Sequence, residues 1–98
     1  AHNVKIGRNC GIAALNAFAG SSSLGDRVQM SGLSGLIPQT HVVDDSIIMG
    51  KSVVTKNFPS KSVLLGYPAQ DHMKEHKALA LIRKLPELFN RVKNLEKK

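Results

Sequence analysis

The chain has 98 residues, enough for one compact domain or for a short solenoid with an appendage. Its formal net charge of +7 at pH 7 suits an acidic partner or a nucleic acid. Aromatic residues make up 4% of the chain and no DNA-reading motif is present, so no nucleic-acid partner is expected. The single cysteine excludes a disulfide framework and fits a reducing compartment, and no apolar run reaches the length of a membrane span.

Apolar residues recur at every sixth position from Ile6 to Val54. Four residues after each anchor from Ile6 to Ile48 stands a small or compact residue, such as Cys10, Ser22 or Thr40. A period of six matches neither an α-helix nor an ordinary strand. It is typical of a parallel β-helix built from hexapeptides, in which each unit contributes one short strand and one turn. The sequence therefore predicts a hexapeptide β-solenoid over residues 1–59.

Three hexapeptides make one triangular coil of about 18 residues, so this segment predicts a little over three coils. The anchors are expected to point into the prism. Small residues beside them, such as Gly7 and Gly25, are expected at tight corners, where Gly and Asn tolerate positive φ. Since the repeat is already in register at residue 1, we expect this chain to be a fragment of a longer protein. The fragment would contain only the C-terminal coils of the solenoid.

The six-residue pattern fails around Pro59. Residues 60–69 predict an extended exit segment that is closed by a Gly-Tyr-Pro-Ala turn. Pro59 and Pro68 both lack a backbone N–H, which suits the end of a strand ladder.

Residues 70–98 predict a basic tail of two short α-helices. Pro86 fits the first turn of the second helix. A stripe with spacings of three, four and three is typical of a seam that packs against copies of itself. The stripe consists of Leu85, Leu88, Val92 and Leu95.

The order of these parts resembles a known family. The chain opens on Ala-His-Asn-Val-x-Ile-Gly, passes through Gly-Tyr-Pro-Ala, and ends in a basic tail with Leu-Pro-Glu-Leu and Asn-Leu-Glu-Lys elements. Together with the hexapeptide ladder, this resembles the C-terminal half of the UDP-3-O-acylglucosamine N-acyltransferases of lipid A biosynthesis in Gram-negative bacteria. The resemblance covers nearly the whole chain. It implies a left-handed β-helix, a cytoplasmic homotrimer, and transfer of a 3-hydroxyacyl group from acyl carrier protein to the 2-amine of UDP-3-O-acylglucosamine.

The resemblance also implies two catalytic residues. His2 takes the role of the general base, for which the unperturbed pKa of imidazole is suited near neutral pH. Gly20 lies one coil after His2 and is expected beside it, where the family uses a backbone N–H to hold the tetrahedral oxyanion.

One position departs from the family. Where several members carry a second histidine after a glycine, this chain reads Pro38-Gln39. Gln39 can still donate a hydrogen bond to the substrate, but it cannot carry a proton at pH 7. His41 lies at a different phase of the repeat and is not a substitute. His2 is therefore the only strong titrating candidate.

Further contacts are predicted for the acyl chain and for the acyl donor. Met49 and Val53 could line an apolar groove for the acyl chain. Basic residues of the tail could steer the acidic acyl carrier protein, namely Lys74, Lys77, Arg83, Lys84, Arg91 and Lys93. The resemblance implies neither a metal nor a bound cofactor, because phosphopantetheine arrives on the acyl donor. Asp44 and Asp45 are interpreted as corner residues.

Three alternatives stay open. The chain could come from the O-acyltransferase that precedes this step, or from a CoA-dependent sugar acetyltransferase of the same fold. An alternative of another class is a trimerisation module without activity. Because the family holds its nucleotide largely with an N-terminal domain, we expect these 98 residues alone to form trimers without turnover.

Overall fold

The computed structural model describes residues 1–97 and is elongated, with extents of 61 × 23 × 22 Å. Residue 98, the end of the predicted tail, lies outside the described residues. A parallel β-solenoid of about three turns is followed by two helices, so the predicted fold class is confirmed. The solenoid strands are β1 (Lys5–Ile6), β2 (Gly11–Ile12), β3 (Ala17–Phe18), β4 (Ser23–Leu24), β5 (Gln29–Met30), β6 (Gly35–Leu36), β7 (His41–Val42), β8 (Ile47–Ile48) and β9 (Val53–Val54).

Successive strands lie on different faces of a triangular prism. Strands β1, β4 and β7 form sheet A, strands β2, β5 and β8 belong to sheet B, and strands β3, β6 and β9 form sheet C. Within each sheet the pairing is parallel, and Lys5 lies opposite Ser23, one coil of three hexapeptides further along the chain. The other sheets repeat this step, with Gln29 opposite Ile47 and Ala17 opposite Gly35.

The core is a stack of the apolar anchors, which are buried from Leu24 to Val54. A polar column runs beside them at the corner between sheets B and C. The Ser34 N–H donates to Asn16 Oδ1 at 2.8 Å, and the Ser52 N–H donates to Ser34 Oγ at 3.2 Å. Within residues 1–97, every buried side-chain nitrogen or oxygen has a hydrogen-bond partner. The polar residues in the repeat thus close the corners from inside without a desolvation penalty.

The corners differ from the sequence prediction in their backbone conformation. Positive φ falls on the third residue after each anchor from Ile6 to Ile48, and these positions hold Leu15, Arg27 and Leu33 as well as Asn9, with φ of 54° to 61°. A left-handed conformation costs a residue with a side chain roughly 1–2 kcal/mol. The stack offsets this cost, because the N–H of such a residue donates across coils, as Leu33 does to the Ala14 carbonyl at 3.2 Å.

Small residues beside the anchors are needed for close packing of coils. A Cβ on Gly7 would collide with the Gly25 carbonyl, and a Cβ on Gly25 would collide with the backbone and carboxylate of Asp44. Neither glycine has a positive φ. The expectation that these glycines supply left-handed corners was therefore wrong, and the reason for their size is steric.

The ladder of sheet A ends after the third coil. Pro59 stands one full coil after His41, where the next strand of sheet A would lie, and proline has no N–H to join the ladder. The side chain of Asn57 replaces the missing carbonyl, since its Oδ1 accepts the His41 N–H at 2.9 Å. Phe58 packs against the end of the core.

Residues 60–69 are predicted as an extended exit segment, but in the structure they form strands that pair with the prism. Strand β10 (Val63–Gly66) pairs with β8 in parallel, with Val63 opposite Ile47, which is a shorter step than a full coil. Strand β11 (Ala69–Asp71) then turns back antiparallel on β10. The step from β8 to β10 is shorter because the chain forms no further strand of sheet A between them. Strands β10 and β11 therefore extend sheet B.

The tail forms the helices α1 (His72–Arg83) and α2 (Leu85–Glu96). Asp71 caps α1, because its carboxylate accepts the backbone N–H of Met73. Pro86 lies in the first turn of α2, at the predicted position. No residue of either helix is buried within the part of the chain that the structure describes. The predicted apolar stripe is therefore a solvent-facing surface in the single chain.

The buried stack yields a stability prediction. Replacing Met30, which is 2% exposed, by Ala should lower the free energy of unfolding by about 2–5 kcal/mol, because it leaves a cavity between coils. Its neighbour Gln29 faces outward on the same strand, so Gln29→Ala should change it by less than about 0.5 kcal/mol. Urea denaturation measures both values, and equal losses would contradict the inward stack.

Candidate active site

His2 and Gly20 lie in successive coils at the corner between sheets C and A. The Ser21 N–H donates to the His2 carbonyl at 2.9 Å, and a Cβ on Gly20 would lie 3.8 Å from the same oxygen. This is the neighbourhood that the length of one coil predicts. His2 is exposed, and the Gly20 N–H has no hydrogen-bond acceptor among residues 1–97. The corner therefore combines an exposed histidine with an amide donor that has no partner among these residues.

Gln39 belongs to the same corner, one coil further on. Its N–H donates to the Gly20 carbonyl at 3.0 Å, and its φ is 60°. Pro38, the preceding residue, continues the column of His2 and Gly20, whereas Gln39 continues the column of Ser21. The structure thus brings His2, Gly20 and Gln39 to one edge of the prism, with the Gln39 side chain exposed.

Met49 and Val53 lie farther from His2. Val53 is half-buried on the outer face of sheet C, in line with Gly35 and Ala17. It is two strand spacings from Ala17, roughly 10 Å along the axis, and His2 lies one coil farther. Met49 lies at the corner between sheets B and C, where its carbonyl accepts the Ser34 hydroxyl at 3.0 Å. The structure does not bring Met49 to the His2 corner.

Sheet C and the corner that precedes it form an apolar surface. Leu15 and Leu33 occupy successive positions of this corner and are 78% and 52% exposed. Most other outward residues here are small or aliphatic, namely Ala13, Ala17, Gly35, Ile37, Met49 and Val53, while Ser31 and Lys51 are polar and Lys51 ends the column of Leu15 and Leu33 in the third coil. A contiguous apolar surface of this kind marks an interaction site. His2 lies at the edge of this surface.

The corner between sheets A and B is charged, in contrast to the apolar corner between sheets B and C. Arg27 Nε lies 2.7 Å from Asp45 Oδ1. The Asp26 N–H donates to Asp44 Oδ1 at 2.7 Å, so carboxylates also close this corner. Asp44 and Asp45 are corner residues, as interpreted from the repeat. The hydrogen bond from Arg27 holds the pKa of Asp45 below its ordinary value of 3.8.

The predicted basic contacts of the tail are exposed side chains on the two helices. They are Lys74, Lys77 and Arg83 on α1, Lys84 at the junction, and Arg91 and Lys93 on α2. A groove of about 490 Å³ lies at the junction and is lined by Leu81, Lys84, Leu85, Glu87, Leu88 and Arg91. Lys84 and Arg91 therefore border an apolar groove.

One pair of side chains was missed by the sequence prediction. Ser23 Oγ lies 2.7 Å from His41 Nδ1 on the outer face of sheet A. The prediction assigns His41 no role because this residue is out of phase with His2. The separation of one full coil between Ser23 and His41 is the signal that would have found the pair.

Two further results concern residues 1–97. No three His, Cys, Asp or Glu side chains come together there as ligands for a metal ion. No helix in that range has the length and apolar character needed to cross a membrane.

Similarity to known proteins identifies the family. No protein-family model matches the chain. The UDP-3-O-acylglucosamine N-acyltransferase of Methylacidiphilum infernorum is 45% identical over 98 residues, covering 100% of this chain. Those of Bordetella pertussis and Methylococcus capsulatus are 36% and 33% identical and cover 99% and 98% of it. The chain belongs to the UDP-3-O-acylglucosamine N-acyltransferase family.

The chain corresponds to one part of such an N-acyltransferase. It spans 27% of the length of the Bordetella pertussis and Methylococcus capsulatus relatives and 28% of the Methylacidiphilum infernorum one. The opening Ala-His-Asn motif and the Leu-Pro-Glu-Leu tail lie within the matched residues.

The ion pair at the corner between sheets A and B leads to a prediction about the pKa of Asp45. Replacing Arg27 by Gln should raise the pKa of Asp45 toward its ordinary value, because the hydrogen bond from the guanidinium is lost. NMR titration of the Asp45 carboxyl carbon measures this pKa. Since the folded pKa lies below the unfolded one, the pair stabilises the fold above about pH 4 and loses this effect as the pH falls through the folded pKa.

The control for this titration is Lys51→Gln, which removes the same charge from another corner. It should leave the pKa of Asp45 almost unchanged. An Asp45 pKa that is equal in the parent and in Arg27→Gln would contradict the assignment.

Proposed function

We propose that the protein containing this chain transfers a 3-hydroxyacyl group from acyl carrier protein to the 2-amine of UDP-3-O-acylglucosamine. The relatives that match the whole chain carry the name of this N-acyltransferase. The observation that carries the proposal is the His2 corner, where an exposed imidazole adjoins the unpaired Gly20 N–H. Acyl transfer needs a base and an oxyanion donor, and this corner offers both.

The chemistry at this corner is an aminolysis of a thioester. The amine nitrogen attacks the thioester carbonyl and forms the C–N bond, while His2 takes the proton that the nitrogen loses. The carbonyl oxygen becomes an oxyanion that accepts the Gly20 N–H, a contact worth about 2.7–4 kcal/mol in the transition state. The thiolate then leaves and is protonated from His2. A positioned general base contributes a factor of roughly 10²–10⁴.

The other predicted contacts fit around this step. Gln39 would donate a hydrogen bond to a carbonyl or phosphopantetheine oxygen, since it shares the corner with His2. Val53 would contact the acyl chain on the apolar face of sheet C, and Met49 would do so from the adjoining corner. The reaction would use no metal or resident cofactor, because phosphopantetheine comes with the donor, and it would take place in the cytoplasm.

The proposed assembly is a homotrimer. The exposed corner of Leu15 and Leu33, together with sheet C, supplies an apolar surface that a second copy could bury. His2 lies at the edge of this surface, so the site would lie between subunits. The exposed stripe of α2, with Val92 at 42% and Leu95 at 68%, would pack against its copies.

The basic tail would guide the acyl donor. Acyl carrier protein is acidic, and Lys74, Lys77, Arg83 and Lys84 are exposed on or next to α1. Such charges raise association rates more than they raise affinity. A second candidate, a trimerisation module without activity, is favoured only by the exposed stripe of α2.

The catalytic proposal predicts that His2→Ala in the full-length protein lowers the rate of N-acylation by roughly 10²-fold or more. The assay follows acyl transfer from acyl carrier protein to an amine acceptor and to its hydroxyl analogue. A Gln29→Ala variant is the control and should keep full activity, because Gln29 faces outward on sheet B. Retained N-acylation in His2→Ala would refute the role of His2, and transfer to the hydroxyl alone would favour an O-acyltransferase.

The assembly proposal predicts that Leu33→Lys breaks the trimer, because it places a charge next to the exposed Leu15, in the apolar part of the corner. The matched control is Asn9→Lys. Both positions have positive φ, 60° and 59°, but position 9 lies in the column of Arg27 and Lys61. Sedimentation equilibrium should give three times the 10.6 kDa chain mass for the parent chain and for Asn9→Lys, and a smaller mass for Leu33→Lys. If all three proteins were trimers, the result would contradict an interface at the corner of Leu15 and Leu33.

A further inference from the structure

The outer face of sheet A carries a row of polar side chains. Lys5 on β1, Ser23 on β4 and His41 on β7 are in line, because the parallel register pairs them in turn. Neighbouring strands are about 4.8 Å apart, so the row is roughly 10 Å long between its outer Cα atoms. An open cavity of about 340 Å³ lies over it, lined by Asn3, Lys5, Ser21, Ser22, Ser23 and His41.

The row presents hydrogen-bond donors in either protonation state of His41. When the imidazole is neutral, the Ser23 hydroxyl can donate to Nδ1, which leaves the proton on Nε2 facing the cavity. When the imidazole is protonated, Nδ1–H donates to Ser23 Oγ, and both Nε2–H and the serine hydroxyl are available to a ligand. The 2.7 Å contact also restrains the ring, so its donor is positioned in advance.

The charge of the cavity favours an anion. Lys5 brings an ammonium group, and neither Asp nor Glu is among the residues that line it. The Arg27–Asp45 ion pair lies at the other edge of sheet A, where its charges compensate each other. Hydroxyl, imidazole and ammonium groups in one row suit a ligand with several acceptor oxygens, and Lys binds phosphate as a point charge.

We propose that Lys5, Ser23 and His41 form a phosphate-binding site on sheet A. The site adjoins the corner of His2 and Gly20, because Asn3 and Ser21 follow those two residues directly and line the cavity. A phosphate bound here would hold the rest of its molecule at that corner. The source of the phosphate rests on the proposed function: it is either the diphosphate of the UDP sugar or the phosphodiester of the phosphopantetheine arm.

The site is tested by titrating the chain with inorganic pyrophosphate and following the backbone amide NMR signals. Saturable shifts are expected at Lys5, Ser23 and His41. Lys5→Gln and His41→Ala should each weaken binding by roughly tenfold, the value of a charge-assisted hydrogen bond. The matched control is Lys51→Gln, which removes the same charge from a distant corner and should change the affinity by less than about twofold.

Two further titrations identify the source of the phosphate. Tighter binding of UDP than of pantetheine 4′-phosphate assigns the site to the nucleotide, and the reverse assigns it to the acyl donor. Shifts that do not saturate, or equal losses in Lys5→Gln and Lys51→Gln, would show only diffuse attraction to a basic chain and would overturn the site. None of these measurements involves turnover, so a failure of this site and a failure of the proposed acyl transfer are distinguishable.

Discussion

In each coil of the solenoid, backbone N–H groups donate to carbonyl oxygens of the next coil, as Lys5 does to Ser22 at 3.2 Å and Gly25 does to Val42 at 2.7 Å. These bonds keep equivalent residues of successive coils in register. The register then allows the apolar anchors to stack inside and the side chains of Asn16 and Ser34 to bond from coil to coil. It also fixes the left-handed corner residues, whose N–H groups donate in the opposite direction, to carbonyls of the preceding coil, as Gln39 does to Gly20. Positions one coil apart in the sequence therefore act as neighbours everywhere in the prism.

The same register sorts the surface of the prism by chemistry. One corner carries Arg27 and Asp45, another carries Leu15 and Leu33, and the third carries His2. The corner of His2 separates the apolar face of sheet C from the polar face of sheet A. A thioester donor with an apolar chain and a phosphate-bearing arm has two such halves. The position of His2 between unlike faces is the physical reason for proposing acyl transfer at this corner.

Several features followed from the sequence and several did not. The period of six was enough to predict the solenoid and to place Gly20 next to His2, because the repeat converts sequence separation into spatial separation. The role of residues 60–69 was not predicted, because the side chain of Asn57 replaces a backbone carbonyl of the omitted strand and the last step is shorter than a full coil. The sequence predicts glycines at the corners because glycine tolerates positive φ. In the structure Leu15 and Leu33 have positive φ, whereas Gly25 is required because a larger residue would collide with Asp44. These features depend on contacts between coils, and a local sequence pattern does not contain that information.

The sequence by itself determined the repeat, the inward anchors, the two helices of the tail and the motif around His2. It could do so because these are periodic or contiguous features of the chain. Only the tertiary structure decided which outward residues meet, since side chains at positions 5, 23 and 41 become one row only after the coils close in parallel register. The Ser23–His41 contact and the unused Gly20 N–H likewise arise from that closure. Hydrogen bonds between coils, which link residues remote in the chain, are the physical reason for this division.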